Sequence, residues 1–160
     1  MDLKTKLAAE EGKHDLLITR EFDLPVELLF KAYVDPEIIV QWKTPPNSTA
    51  KILKSAMGKH GSFQMQISGA DGKVMATTHG VIHDLVPEQK IIRTFQVEGA
   101  PMGVQLEVYD FIKLTDDTSK LSMHVIYETV AQRDMVLKGP ASANMESSFN
   151  RLEALLGKRK

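Results

Sequence analysis

Five histidines, His14, His60, His79, His83 and His124, are the side chains best suited to holding a metal or moving a proton near neutral pH. His79 and His83 would share one face of a helix, but they sit in a run with strand character, where four residues span roughly 13 Å. Two ligands that far apart cannot hold one ion directly. Cross-strand pairing of either with His124 is the remaining route, and no cysteine or helical His-Glu motif supports it, so no metal is expected. The absence of cysteine also removes disulfides and thiolate nucleophiles. No Gly-x-Ser-x-Gly marks a serine nucleophile, and no catalytic residue is assigned. Acid–base chemistry is the open alternative: a histidine, Tyr109, Tyr127 or Glu107 could point into a partly dry groove that shifts its pKa. Gly69-Ala70-Asp71-Gly72 lies between strands and lacks the lysine of a nucleotide loop, so it reads as a hairpin turn and no cofactor is expected.

A second set of residues suits apolar binding. Trp42, Phe63, Met65, Phe95, Met123, Met145 and Phe149 are candidate lining residues of an interior groove, with Tyr109 and His124 as polar contacts that would orient a ligand. Taken one by one, the same side chains are better explained as members of a closed core; it is the set that points to a cavity. Space is expected because one helix, about ten ångströms across, cannot fill a strongly curved sheet along its whole length.

These residues must be positioned by elements whose periods are visible. Residues 1–14 carry Leu3 and Leu7 among charged neighbours, with Gly12 as a stop, and read as a short optional helix. Leu16 to Phe22 has strand formers, with Leu16, Ile18 and, less cleanly, Phe22 on one face. Pro25 to Val34 repeats apolar residues at helical spacing, and Asp35-Pro36-Glu37 starts a second helix ending near Trp42. From Lys51 to Tyr127 short alternating runs are separated by turns, which predicts about six antiparallel strands. The last alternates Leu121, Met123, Val125 and Tyr127 against Ser122, His124 and Ile126. Beyond Ala131 the period becomes helical, and Gly139-Pro140 should kink or restart the helix. Met145, Phe149, Leu152 and Leu156 then form one stripe, sealed at Leu152 and Leu156 and open toward Met145, where Ala141, Ser142 and Ala143 are small. The predicted class is α+β: a curved antiparallel β-sheet wrapped around a long C-terminal α-helix, with two short helices after the first strand.

The chain of 160 residues fits one domain, 1–160, with no linker or repeat. Hydrophobic residues make up 42% and charged residues 26%, and the formal net charge is -1, so no overall field draws the chain to nucleic acid or an anionic membrane. Lys51, Lys54, Lys59 and His60 form only a modest basic stretch, read as a solvated face. No apolar run reaches the roughly 18 residues of a membrane helix and no signal-peptide core is visible, so the cytoplasm is expected.

The order of elements, with Ile18-Thr19-Arg20-Glu21-Phe22-Asp23-Leu24-Pro25, Tyr33-Val34-Asp35-Pro36-Glu37 leading to Trp42, and Met145-Glu146-Ser147-Ser148-Phe149-Asn150-Arg151-Leu152-Glu153, resembles the START-like, or SRPBCC, superfamily. Within it the chain is similar to the family named for the activator of heat-shock protein ninety ATPase, over roughly Leu16 to Leu156. The resemblance implies a helix-grip fold. Two departures bear on ligand preference: Lys43-Thr44-Pro45 stands where the family often has a second tryptophan and a Gly-Pro pair, and Asn144-Met145 where it has Gly-Trp. The leading expectation is noncatalytic binding of a small hydrophobic or amphipathic molecule. A chaperone-interacting module is the alternative, and a small cyclase- or hydrolase-like enzyme the third. A homodimer could form through an open sheet edge beside the first strand.

Overall fold

The computed structural model describes residues 4–159 and is built around an eight-stranded antiparallel sheet with four helices. The strands are β1 (Lys6–Ala8), β2 (Asp15–Phe22), β3 (Thr49–Ser55), β4 (Ser62–Ser68), β5 (Val74–Val86), β6 (Lys90–Val97), β7 (Gln105–Lys113) and β8 (Ser119–Ile126). The helices are α1 (Val26–Val34) and α2 (Pro36–Lys43) after β2, then α3 (Val130–Lys138) and α4 (Ala141–Gly157). Sheet order is β1-β2-β8-β7-β6-β5-β4-β3, so β2 crosses to pair with the last strand while the rest form a meander. This is the helix-grip architecture, with the long α4 held against the concave face.

Alternation sets which side chains reach that face. On β2 Leu16, Ile18, Arg20 and Phe22 are all buried. Phe22 therefore shares the inward face of Leu16 and Ile18 at strict period two, and Arg20 shares it too. The Arg20 guanidinium stacks on Phe22 and is neutralised from α4: Nη2 donates to Glu153 Oε2 at 3.0 Å, and Nη1 lies 3.7 Å from Glu146 Oε2. Two stretches that carry the family resemblance thus meet as a clasp between β2 and α4.

The short helices follow their caps. Pro25 precedes α1, where its missing N–H costs nothing, and Asp35 Oδ1 accepts from the Glu37 N–H to start α2. Trp42 is buried at the end of α2, its indole N–H donating to the Ala32 carbonyl at 2.9 Å. From α4 the Arg151 Nε donates to the Trp42 carbonyl at 3.1 Å, tying the two helices. The helical run breaks at Gly139-Pro140: α3 ends and α4 starts at Ala141, as proline in the interior of one continuous helix would forfeit a hydrogen bond.

Curvature comes from irregularities in the outer strands. Pairing shifts register between Ile52 and Lys54, Ile67 and Ser68, and Ile82 and Asp84. At Gly80 the backbone of β5 passes so close to its neighbours that a Cβ would collide with the Thr94 carbonyl oxygen and lie 2.6 Å from Phe63 Cζ. Next to it the Val81 N–H donates to the Thr94 hydroxyl at 3.1 Å.

One expected element differs. Of the helix expected in residues 1–14, Met1 to Leu3 lie outside the described residues, and Lys6–Ala8 is a strand whose Leu7 pairs with Ile18. A helix of a few residues is unstable alone, whereas the unpaired backbone of β2 offers a ready template. As a result β1 covers the edge beside the first long strand, and the outer strands of the sheet are β1 and β3.

Candidate functional site

Between the concave face of the sheet, α2 and the N-terminal half of α4 lies a cavity of about 550 Å³. Helix α4 contributes Ala141, Asn144, Met145, Ser148 and Phe149 to its wall, while Leu152 and Leu156, one and two turns further, are fully buried and lie outside it. Gly139, Pro140 and the half-exposed Met135 mark the rim toward solvent. A second space of about 160 Å³ adjoins it beneath β3, β4 and β5, and Lys43, Arg93 and Phe95 line both.

The large cavity brings together Trp42, Phe95, Tyr109, Met123, Met145 and Phe149, all expected from sequence. Phe63 and Met65 line the smaller space instead, because β4 lies beyond the Arg93 and Phe95 partition. His124 lines neither. It sits on β8 in the phase opposite Met123 and Val125, so its ring faces outward, with Nε2 2.7 Å from Asp15 Oδ2 at the surface. The expected polar contact from His124 is therefore corrected. His79 lies against Glu98 at the surface of β5, three strands away from β8, and among the described residues no group of three or more His, Cys, Asp or Glu is arranged to hold a metal.

The polar part of the wall comes from β6 and β7. Arg93 and Glu107 are register partners with both side chains inward. Arg93 Nε donates to Glu107 Oε1 at 2.7 Å and Nη2 to the Tyr109 hydroxyl at 2.9 Å; that hydroxyl donates to Glu107 Oε1 at 2.9 Å, and the Gln105 amide to Oε2 at 2.8 Å. The guanidinium is also packed among the rings of Phe63, Phe95 and Tyr109, with centroids 4.9, 5.6 and 5.0 Å away. Burial alone would disfavour its charge, and Tyr109 and Glu107 outweigh that, holding Arg93 above its ordinary pKa. Burial pushes the Tyr33 and Tyr109 hydroxyls up, and Tyr127 up to about 12, so all three stay neutral near neutral pH.

Lys43 differs from this satisfied cluster. At the end of α2 it reaches the cavity with Nζ 4.7 Å from the Trp42 ring centroid and 5.9 Å from that of Tyr33. Burial first, and then the positive Arg93, lower its pKa to about 8.

Sequence reasoning did not place Tyr33, Lys43, Arg93 and Gln105 in this wall. For Arg93 a signal exists: Ile91, Arg93 and Phe95 share the inward phase of β6, and an arginine in that phase requires an inward carboxylate nearby. Glu107 supplies it from the inward phase of β7, alongside Tyr109 and Phe111.

Among solved structures the chain is similar to Ms6760 from Mycobacterium smegmatis, at 21% identity and a TM-score of 0.81, covering 95% of this chain and 96% of that one. A Rhodobacter sphaeroides protein is similar at 19% identity and a TM-score of 0.87, covering 97% and 99%. A third, from Arthrobacter aurescens, gives 17% identity and 0.82, covering 96% and 91%. At these identities they establish the shared fold. Among the curated proteins none matches the chain. The sequence model of the family described as Activator of Hsp90 ATPase homolog 1-like protein matches residues 23–157. That match runs from the turn after β2 to the end of α4 and takes in both short helices, the β3–β8 meander and the gripped helix; the chain belongs to this family.

Proposed function

We propose that this protein binds a small apolar or amphipathic molecule in the cavity between the sheet, α2 and α4, without transforming it chemically. The observation that carries the reading is the cavity itself. Its volume of about 550 Å³ falls within the range of roughly 300–1,000 Å³ typical of ligand sites. Its walls are mostly aliphatic and aromatic side chains, and burying an apolar ligand against them is favourable by roughly 25 cal/mol per Å² before the costs of association. Two of the groups that could act as acid or base, Glu107 and Tyr109, are engaged with one another: Glu107 accepts three hydrogen bonds, and the Tyr109 hydroxyl both donates and accepts. This arrangement favours a fixed polar wall over a proton relay. Native mass spectrometry of freshly purified protein, followed by titration with the neutral dye N-phenyl-naphthylamine, tests the reading. Retained small molecules or saturable dye fluorescence are expected; absence of both contradicts it.

The family description favours a second reading, a module that engages the Hsp90 chaperone and stimulates its ATPase. That reading needs an exposed contact surface rather than the cavity. Stimulation of chaperone ATPase by the purified protein, unaffected by filling the cavity, would support it over small-molecule binding.

A further inference from the structure

The polar residues of the cavity do not balance in charge. Its wall carries two cations, Lys43 and Arg93, and one carboxylate, Glu107; the adjoining space adds no acid and one further cation, the solvent-exposed Lys54. The carboxylate is committed to Arg93, Tyr109 and Gln105, and the guanidinium to Glu107 and Tyr109. Lys43 is left over. Among the described residues it has no carboxylate within ion-pair distance, and the charges it feels are those of Arg93 and Glu107, with the repulsion from Arg93 the larger. Trp42 and Tyr33 offer ring faces, which compensate an ammonium only in part. The end of α2 places its negative dipole near this cation, which also helps hold it there.

We propose that the molecule taken by the cavity is an apolar monocarboxylate, its carboxylate paired with the Lys43 ammonium and its apolar body lying toward Met145 and Phe149. This rests on the binding reading above and names the ligand's class. Lys54 is solvated, so the large cavity is left with one surplus positive charge, which matches one negative charge. A phosphate dianion would over-neutralise it, and a neutral ligand would leave a partly desolvated ammonium without an anion. The position of Lys43 on the wall shared by the two spaces puts the charged head at their junction and directs the tail along the larger cavity toward Met145 and Phe149.

The proposal predicts a pH dependence with a definite sign. The other groups facing Lys43 are Tyr33 from α1, Arg93 from β6, and Glu107 and Tyr109 from β7, with Tyr127 also on the wall. Of these, the three tyrosines are raised and neutral, and Arg93 is held charged, through the range in which Lys43 titrates. Lys43 with a pKa of about 8 is mostly protonated at neutral pH, so pairing is strong below that value and lost above it.

The test displaces N-phenyl-naphthylamine from the full chain with decanoate and with decanol, which share a tail and differ in the head. The expected result near neutral pH is a preference for decanoate of about tenfold, the scale of one charge-assisted hydrogen bond. The preference should shrink as pH rises above about 8, vanish in Lys43→Met and return in Lys43→Arg. Circular dichroism of each variant confirms that the fold is kept. Equal displacement by decanol and decanoate in the wild-type protein overturns the carboxylate assignment and leaves small-molecule binding standing. A Lys43→Met protein that keeps the preference also overturns it. Failure of the dye and both competitors to bind removes the binding reading and this inference together.

Discussion

Replacing Glu107 with leucine leaves the Arg93 guanidinium, only 9% exposed, with the Tyr109 hydroxyl as its one remaining hydrogen-bond partner in the cluster. The aromatic rings around it cannot take the place of a carboxylate. Breaking a buried pair from one side costs about 3–5 kcal/mol because the surviving charge stays desolvated. In a chain of this length each kcal/mol moves Tm by about 2–4 °C, so Glu107→Leu should melt about 6–20 °C below the wild-type protein. Removing both charges in the Arg93→Met, Glu107→Leu double variant strands neither one. It should melt above the Glu107→Leu single variant, since the coupling between contacting residues makes their effects non-additive. Scanning calorimetry of the wild-type, two single and double variants completes the cycle. If Glu107→Leu melts within about 2 °C of wild type, or the double variant loses the sum of both single losses, the cluster is not a mutually dependent buried pair and the reasoning fails.

The two halves of α4 should respond differently. Leu152→Ala should cost about 2–5 kcal/mol and leave dye binding intact, whereas Met145→Trp should block the dye with a stability change below about 1 kcal/mol; chemical denaturation and fluorescence titration separate them. Acid should loosen the clasp between β2 and α4. Burial works against ionisation of Glu146 and Glu153, but for Glu146 hydrogen bonds from Thr5 and Lys4, and for Glu153 those from Asp23 and Lys4, together with Arg20 in both cases, outweigh it and hold both below their ordinary 4.5. Their contribution is therefore full above about pH 4.5 and lost as pH falls through the lower folded values, and urea midpoints measured across that range should show a step that Glu146→Gln, Glu153→Gln removes. Gly80→Ala should destabilise by about 1–3 kcal/mol through collision with β6 and Phe63, measured as a shift in the urea midpoint at constant slope.

Much of this fold is legible along the chain because its signals are local. The Asp35-Pro36-Glu37 start of α2, the breaks between strands and the restart at Gly139-Pro140 each depend on a few adjacent residues. The stripe Met145, Phe149, Leu152, Leu156 likewise fixes which face of α4 points inward. The rest depends on partners distant in sequence. β1 is a strand only because β2 presents an open edge, and nothing within residues 4–14 records that. His124 is assigned by residue type to the cavity, while its phase against Met123 already places it outside. Phe63 and Met65 have the expected inward character but face a different space, because bulges and the close approach at Gly80 bend the outer strands. Lys43 is visible in sequence only as a departure from the family pattern. Its significance emerges when β6 and β7 bring Arg93 and Glu107 near the end of α2 and leave it without an anion.

The central claim is that an apolar molecule enters the space beside Met145. Methyl-labelled methionine tests it directly, since Met102, Met123, Met135 and Met145 line the large cavity and Met75 stands exposed on β5 away from it. Titration with N-phenyl-naphthylamine, followed by carbon–proton correlation spectra, should shift the four cavity methyls together along one saturating curve and leave Met75 in place. Four unmoved cavity methyls at dye concentrations that saturate fluorescence, or a Met75 shift as large as theirs, would contradict the account.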